Sequence, residues 1–267
     1  MKEKAPDREV RESPAFRRGE EVNEQLAVVS GGTRGIGTAM SSRLVKLGYT
    51  VVALYRADDA AAERFTSGYD GRIVAERVDV ADPAAVDRLA GRVLAAHGAP
   101  RVLVNNAGVN IDKPFLELSD SDWRTVLDTN LSGPFHLTRA FAPAMLAAGG
   151  GSVVNVGATT GIRPRVNGAN YCASKAGLLQ LTKCLALELA PTVRVNCLIP
   201  GMTDTEELRT RFRLDDPERL AAVLAEIPQH RIGTTDDIAD ALEFLVGPQS
   251  GYLTGQKLII DGGQFMW

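Results

Sequence analysis

Cysteine is scarce in this chain of 267 residues, where only Cys172, Cys184 and Cys197 occur. An odd number with no short paired spacing offers no disulfide framework, so each reads as a small buried apolar side chain in a reducing compartment. No CxxC or HExxH pattern is present, and no metal is expected. No apolar run reaches the ~18 residues of a membrane helix, and the N-terminus lacks the apolar stretch of a signal peptide. Basic excess is missing as well. The formal net charge is −3, which argues against a nucleic-acid surface. His97, His136 and His230 have no partner pattern that suggests catalysis. These absences leave a cytoplasmic protein with no nucleic-acid partner and no membrane association as the expectation.

What is present suits one large α/β core: 45% of the residues are apolar and 24% charged. Residues 1–24 mix Lys, Arg, Asp and Glu without an apolar period and read as a charged, flexible tail. Residues 25–267 read as a single domain. From Leu26 onward, short β-branched runs alternate with longer amphipathic segments. Strands are expected at Leu26–Val29, Thr50–Tyr55, Arg72–Val78, Val102–Val104, Ser152–Val156, Val193–Leu198 and Lys257–Ile260. Helices are expected at Thr38–Leu47, Ala60–Phe65, Pro83–His97, Trp123–Met145 (bent at Gly133-Pro134) and Tyr171–Leu189. Alternation of this kind gives right-handed βαβ units and a doubly wound, mostly parallel sheet with helices on both faces. A mixed-charge stretch at 203–231 reads as a helical lid or a solvated helix face.

The first strand runs into Ser30-Gly31-Gly32-Thr33-Arg34-Gly35-Ile36-Gly37 and then a helix. Glycines at such a turn let a phosphate approach the backbone, and the helix N-terminus offers N–H groups and a positive dipole end to a pyrophosphate. An acidic residue about 20 positions further on would mark an NAD site. Here Tyr55 and Arg56 stand at the end of the second strand, and Arg34 lies in the loop. Two cations suit the 2′-phosphate of NADP, whereas Asp58 and Asp59 keep NAD open as the less favoured choice.

These motifs join others: Asp79-Val80, Asn105-Asn106-Ala107-Gly108, Asn130, Tyr171-Cys172-Ala173-Ser174-Lys175, Pro200-Gly201-Met202-Thr203 and Asp261-Gly262-Gly263. With them the chain resembles the short-chain dehydrogenase/reductase family, in particular its 3-oxoacyl-carrier-protein-reductase-like members, from about Leu26 to Gly263. The resemblance implies a seven-stranded Rossmann fold of order 3-2-1-4-5-6-7 and a homotetramer or homodimer. It implies that Asp79 and Val80 flank the adenine, that Asn106, Ala107, Gly108 and Val156 line the cofactor, and that Pro200, Gly201 and Thr203 hold the nicotinamide carboxamide. Tyr171 would be the acid/base, Lys175 its activator and a contact of the nicotinamide ribose, and Asn130 the anchor of a relay water. Tyr171 and Lys175 stand four apart on one helix face, where an ammonium would lower the phenol from its usual value of about 10.

One position departs from that pattern. The family places a serine where this chain has Ala158, losing a donor to the developing oxyanion. Thr159 or Thr160 could supply the hydroxyl, the alanine could be a deliberate substitution, or the chain could bind cofactor with impaired or absent catalysis. The substrate is expected to be a small carbonyl or alcohol, free or bound to a carrier protein. Arg163 and Arg165 stand near the mouth, where they could meet an acidic group, and Phe265 and Trp267 could cap the cleft or an oligomer interface.

Overall fold

The structure, a computed structural model, describes residues 25–266, so the charged segment 1–24 and Trp267 lie outside the described residues. The elements in chain order are β1 (Gln25–Ser30), α1 (Gly35–Lys46), β2 (Tyr49–Tyr55), α2 (Asp59–Thr66), β3 (Ile73–Arg77), α3 (Pro83–His97), β4 (Pro100–Asn105) and α4 (Asp120–Leu127). Then follow α5 (Gly133–Ala147), β5 (Gly151–Val156), α6 (Ala169–Leu189), β6 (Val193–Pro200), α7 (Glu206–Phe212), α8 (Pro217–Ala225), α9 (Thr235–Val246) and β7 (Lys257–Ile260). The strands form one sheet of order β3-β2-β1-β4-β5-β6-β7. Every pairing in it is parallel, as the unbroken apolar strands require.

Successive strand residues point to opposite faces and build two cores. Leu26, Val28, Val52, Leu103 and Val153 pack with Leu89 and Val93 of α3 and with Leu137, Phe141 and Met145 of α5. Ala27, Val29, Val51 and Val104 pack with Met40 and Leu44 of α1 and with Ile238, Leu242 and Leu245 of α9. Among the described residues, no helix is long and apolar enough to cross a membrane.

Three features differ from the sequence reading. The helical stretch expected from Trp123 is interrupted earlier than Gly133-Pro134, by a π-helical turn at Asp128–Ser132 that holds Asn130. The stretch at 203–231 carries two short helices, α7 and α8, both without a buried residue. Helix α9 was not anticipated at all. Its start is fixed by a capping box between Thr234 and Asp237, followed by buried Ile238, Ala241, Leu242 and Leu245 at helical spacing.

Candidate functional site

The loop between β1 and α1 is tied down from both sides. The Ser30 hydroxyl accepts from the backbone N–H groups of Asn106 and Ala107 at 3.0 Å and donates to the Val104 carbonyl at 3.3 Å. The Asn106 amide donates to the carbonyls of Ser30 and Gly31 at 2.9 and 3.0 Å. A Cβ on Gly37 would stand 1.9 Å from the Gly31 carbonyl oxygen, so only glycine lets the loop lie this close to the helix start. Gly31 itself has φ +63°, a left-handed conformation. The N-cap of α1 is Arg34, which offers no side-chain cap, so the first-turn N–H groups and the positive end of the dipole stay available to an anion. Thr33 is buried under this turn, whereas Arg34 and Gly35 are exposed and Ile36 half-buried. A close-fitting backbone cradle with an uncapped helix start fits a dinucleotide pyrophosphate.

At the far ends of β2 and β3, Tyr55 pairs in register with Arg77. The Tyr55 hydroxyl donates to Asp59 at 2.9 Å, and Arg77 donates to the Arg56 carbonyl at 3.1 Å and meets Asp59 at 3.5 Å. Asp58 caps α2 by accepting from the Ala61 N–H. Both carboxylates near this corner are therefore engaged, and Arg77 joins Arg56 there as a cation that the sequence reading missed. A cleft of about 590 Å³ opens alongside, lined by Arg56, Asp79, Ala81, Arg124, Thr125 and Asp128, among others. Val80 is buried, with its carbonyl 3.0 Å from His136 Nδ1.

Tyr171 and Lys175 share a face of α6. Lys175 is buried, with Nζ donating to the Val156 carbonyl at 2.7 Å and standing 5.7 Å from the Tyr171 ring centroid. Burial pulls its ammonium down to about 8. Burial also pushes the Tyr171 phenol up to about 12, and the charges that draw it back are those of Arg211 and Arg165. The expected lowering of Tyr171 by Lys175 is thus corrected: desolvation of the phenol outweighs the charges around it and raises it, while Lys175 gives one of its three donors to the Val156 carbonyl.

Asn130, in the π turn, is fully buried. Its Oδ1 accepts from Val109 N–H at 2.8 Å, and its Nδ2 donates to Val109 O at 2.9 Å and to Ser174 Oγ at 3.2 Å. A Cβ on Gly108 would come within 3.4 Å of Asn130 Oδ1 and 3.8 Å of Lys175 Nζ, so the segment stapled to Ser30 also adjoins Tyr171's neighbours. Ala158 follows β5 and precedes a 3-10 turn, Thr159–Gly161. Of the two threonines, Thr160 is the one whose hydroxyl is buried without a partner. Beyond β6, Thr203 is buried and donates to Gly201 O at 3.2 Å, while a Cβ on Gly201 would fall 2.5 Å from Asp261 Cβ, fixing Pro200 and Gly201 against the Asp-Gly-Gly turn.

The rim beside Tyr171 is charged. Arg165 lies 5.6 Å over the Tyr171 ring and holds Asp112, and Arg211 of α7 donates to the same carboxylate. Burial raises Asp112, but the hydrogen bonds of Arg165 and Asn110 and the charges of Arg165 and Arg211 outweigh it and hold the group below the usual carboxylate range. Arg163 turns the other way, 5.9 Å over the Phe265 ring. Asp112, Asn110 and the buried Asn170 were given no individual role from the sequence. Asn170 lay within reach of sequence reasoning, as a polar residue on the face of α6 that carries Ser174 and Lys175.

Comparison with known proteins gives consistent matches. The family described as enoyl-(acyl carrier protein) reductase matches residues 31–264. The 3-oxoacyl-(acyl-carrier-protein) reductase of Salmonella typhimurium is 34% identical over 244 residues, covering 91% of this chain and 98% of its own length. An acetoacetyl-CoA reductase of Allochromatium vinosum is 36% identical over 249 residues, covering 91% and 99%. Among solved structures, a gluconate 5-dehydrogenase from Burkholderia cenocepacia in complex with NADP and tartrate superposes with a TM-score of 0.84 at 30% identity, covering 90% of this chain and 94% of that one.

Proposed function

Because the chain belongs to the short-chain dehydrogenase/reductase family of oxidoreductases, we propose that it interconverts a ketone and a secondary alcohol with NADP(H), and that Tyr171 exchanges the proton. The observation that carries this reading is the pair on α6, with Lys175 buried against the Val156 carbonyl and facing Tyr171, next to the segment stapled to the glycine loop. The α1 N-terminus with Gly31, Gly35, Ile36 and Gly37 would hold the pyrophosphate. Arg56 and Arg77 would meet the 2′-phosphate, supported by the prior engagement of Asp58 and Asp59. Asp79 and Val80 would flank the adenine, and Pro200, Gly201 and Thr203 the nicotinamide. NADP(H), when bound, supplies or accepts the hydride.

In the reducing direction the Tyr171 hydroxyl donates to the substrate oxygen and gives up its proton as that oxygen becomes the alcohol. A phenol held up at about 12 keeps this proton at neutral pH, and transfer is still downhill because the alkoxide that forms is the stronger base. Lys175 positions the tyrosine and compensates the phenolate left behind, and solvent returns the proton. Ala158 favours a second reading, reduced turnover with cofactor binding intact, because the oxyanion has one donor fewer than the family pattern provides.

The chain is proposed to form a homodimer or homotetramer in the cytoplasm. The half-exposed Trp123, Phe135 and Leu146 along α4 and α5 support the association. Residues 25–267 would act as a single domain, with α7 and α8 covering the cleft. The direct test is Tyr171→Phe. Turnover of a ketone panel should fall by about 10²-fold or more, while NADPH binding, followed by fluorescence titration, stays within about threefold. Comparable turnover by the variant would remove Tyr171 from the acid role.

A further inference from the structure

Two guanidinium groups from separate parts of the chain converge on one carboxylate beside Tyr171. Arg165 follows the 3-10 turn after β5, Arg211 stands on α7, and Asp112 lies in the loop after β4. Arg165 donates to the two oxygens of Asp112 at 2.6 and 2.7 Å and to Asn110 Oδ1 at 2.8 Å. Gly168 makes the room for this: a Cβ there would stand 3.1 Å from Arg165 Cγ and 3.2 Å from Cζ. The Arg165 and Arg211 side chains are only 27% and 30% exposed. Both guanidinium charges are felt at the Tyr171 hydroxyl, together with the opposing charges of Glu207 and Asp112.

The arginine charges outweigh the two carboxylates at the tyrosine, and their hydrogen bonding is incomplete as well. A guanidinium offers five N–H donors. Arg211 gives Asp112 one of them and otherwise lies against Phe212, at 5.4 Å from that ring's centroid. Arg165 directs no Nε bond to any protein acceptor among the described residues. Arg211 thus keeps a pair of donors and Arg165 its Nε–H, and a planar acceptor with two oxygens is the group that matches such a set.

We propose that Arg165 and Arg211 receive the carboxylate of the substrate, so that the ketone or alcohol presented to Tyr171 belongs to a small oxo or hydroxy acid rather than to a neutral ketone or a carrier-bound acyl chain. Arg211 stands on α7, so the same contact ties that helix to the bound acid. The inference rests on the reading of Tyr171 as the reacting acid, and its test is kept separate from turnover.

Calorimetry on the protein saturated with NADP+, which cannot reduce a ketone, compares 3-oxobutanoate, 4-oxopentanoate and 5-oxohexanoate, each against its methyl ester. At least one acid should bind about tenfold or more tightly than its ester. Arg211→Gln should shrink that margin to about threefold or less, and Arg211→Lys should restore part of it. Because Arg211 sits on a helix with no buried residue, its substitution leaves the fold intact even if Arg165→Gln does not. Equal binding of every acid and its ester, no binding of any acid, or a margin that survives Arg211→Gln overturns the proposal. Turnover of the esters by the unaltered protein, lost in Tyr171→Phe, would keep the Tyr171 reading standing in each of those cases. Ketone turnover that survives Tyr171→Phe would end that reading while leaving the binding margin interpretable.

Discussion

Lys175 carries its ammonium in a buried place, and burial sets it at about 8 against an ordinary 10.5. The folded chain therefore gives up this proton at a lower pH than the unfolded chain does. Between those two values the unfolded state holds more protons, so the lysine's contribution to stability rises with pH, whereas below about 8 the buried charge is a standing cost. Urea midpoints at pH 7.5 and pH 9 should accordingly show the unaltered protein gaining on Lys175→Met as pH rises; a gap that does not move would place the ammonium in water.

Ala158 bears on the proposed reaction. An oxyanion donor is typically worth about 10²–10³ in rate. Restoring it in Ala158→Ser is expected to raise kcat by about 10²-fold under saturating NADPH and ketone. A change of less than threefold in steady-state assays would instead give the role to the unpartnered hydroxyl of Thr160.

At the scale of elements, the ends of β2 and β3 act together. Their register brings Arg77 beside Tyr55 and Arg56, and Asp58 and Asp59 are already used by α2 and by Tyr55 with Arg77. Replacing Arg56 and Arg77 together by Gln should weaken NADPH by about tenfold or more, since each charged hydrogen bond to a phosphate is worth roughly 1.5–3 kcal/mol before solvent screening. NADH, which lacks the phosphate, should be little affected in the same fluorescence titration. An equal loss for both cofactors would move the 2′-phosphate elsewhere.

The strands were legible because parallel strands buried on both faces are written as unbroken β-branched runs, and Pro83 and His97 bound α3 as the sequence reading placed them. Helix α9 was legible in principle through Thr234, Asp237 and the apolar spacing that follows, but residues 232–256 were given no element from the sequence. The interruption at Asp128–Ser132 has no such trace, since proline marks a bend at Gly133-Pro134 while the extra π-turn residue is set by tertiary contacts of Asn130 with Val109 and Ser174. The Arg165–Asp112–Arg211 cluster was not legible either. Its partners stand 53 and 99 positions apart, and ion pairs over such distances leave no local pattern.

For the molecule as a whole, the sheet is sandwiched between two cores that meet only through the alternation of strand side chains. Leu242 is fully buried in the layer under α9, against the strands that carry the glycine loop and its neighbours. Leu242→Ala is expected to cost about 2–5 kcal/mol in denaturant unfolding, the range for a buried leucine removed from a packed core. A loss below about 1 kcal/mol would show that α9 is held by its capping and surface contacts more than by its apolar face.

The Ser30 hydroxyl has a consequence for how ligands arrive. It accepts from two backbone N–H groups and donates to one carbonyl, so its hydrogen-bonding capacity is filled within the protein. The phosphate cradle is thereby fastened at the roots of β1 and β4 before any nucleotide reaches it. In the proposed function a nucleotide would meet a loop already held by these bonds, so little of its affinity would go to ordering it. The proposed substrate side is built differently, from a helix without a buried residue joined to the rest by ion pairs. Under the proposed function, association at the two halves would be unequal in kind: the nucleotide would dock on a surface already shaped for it, and the substrate would have to negotiate with side chains that already hold one another.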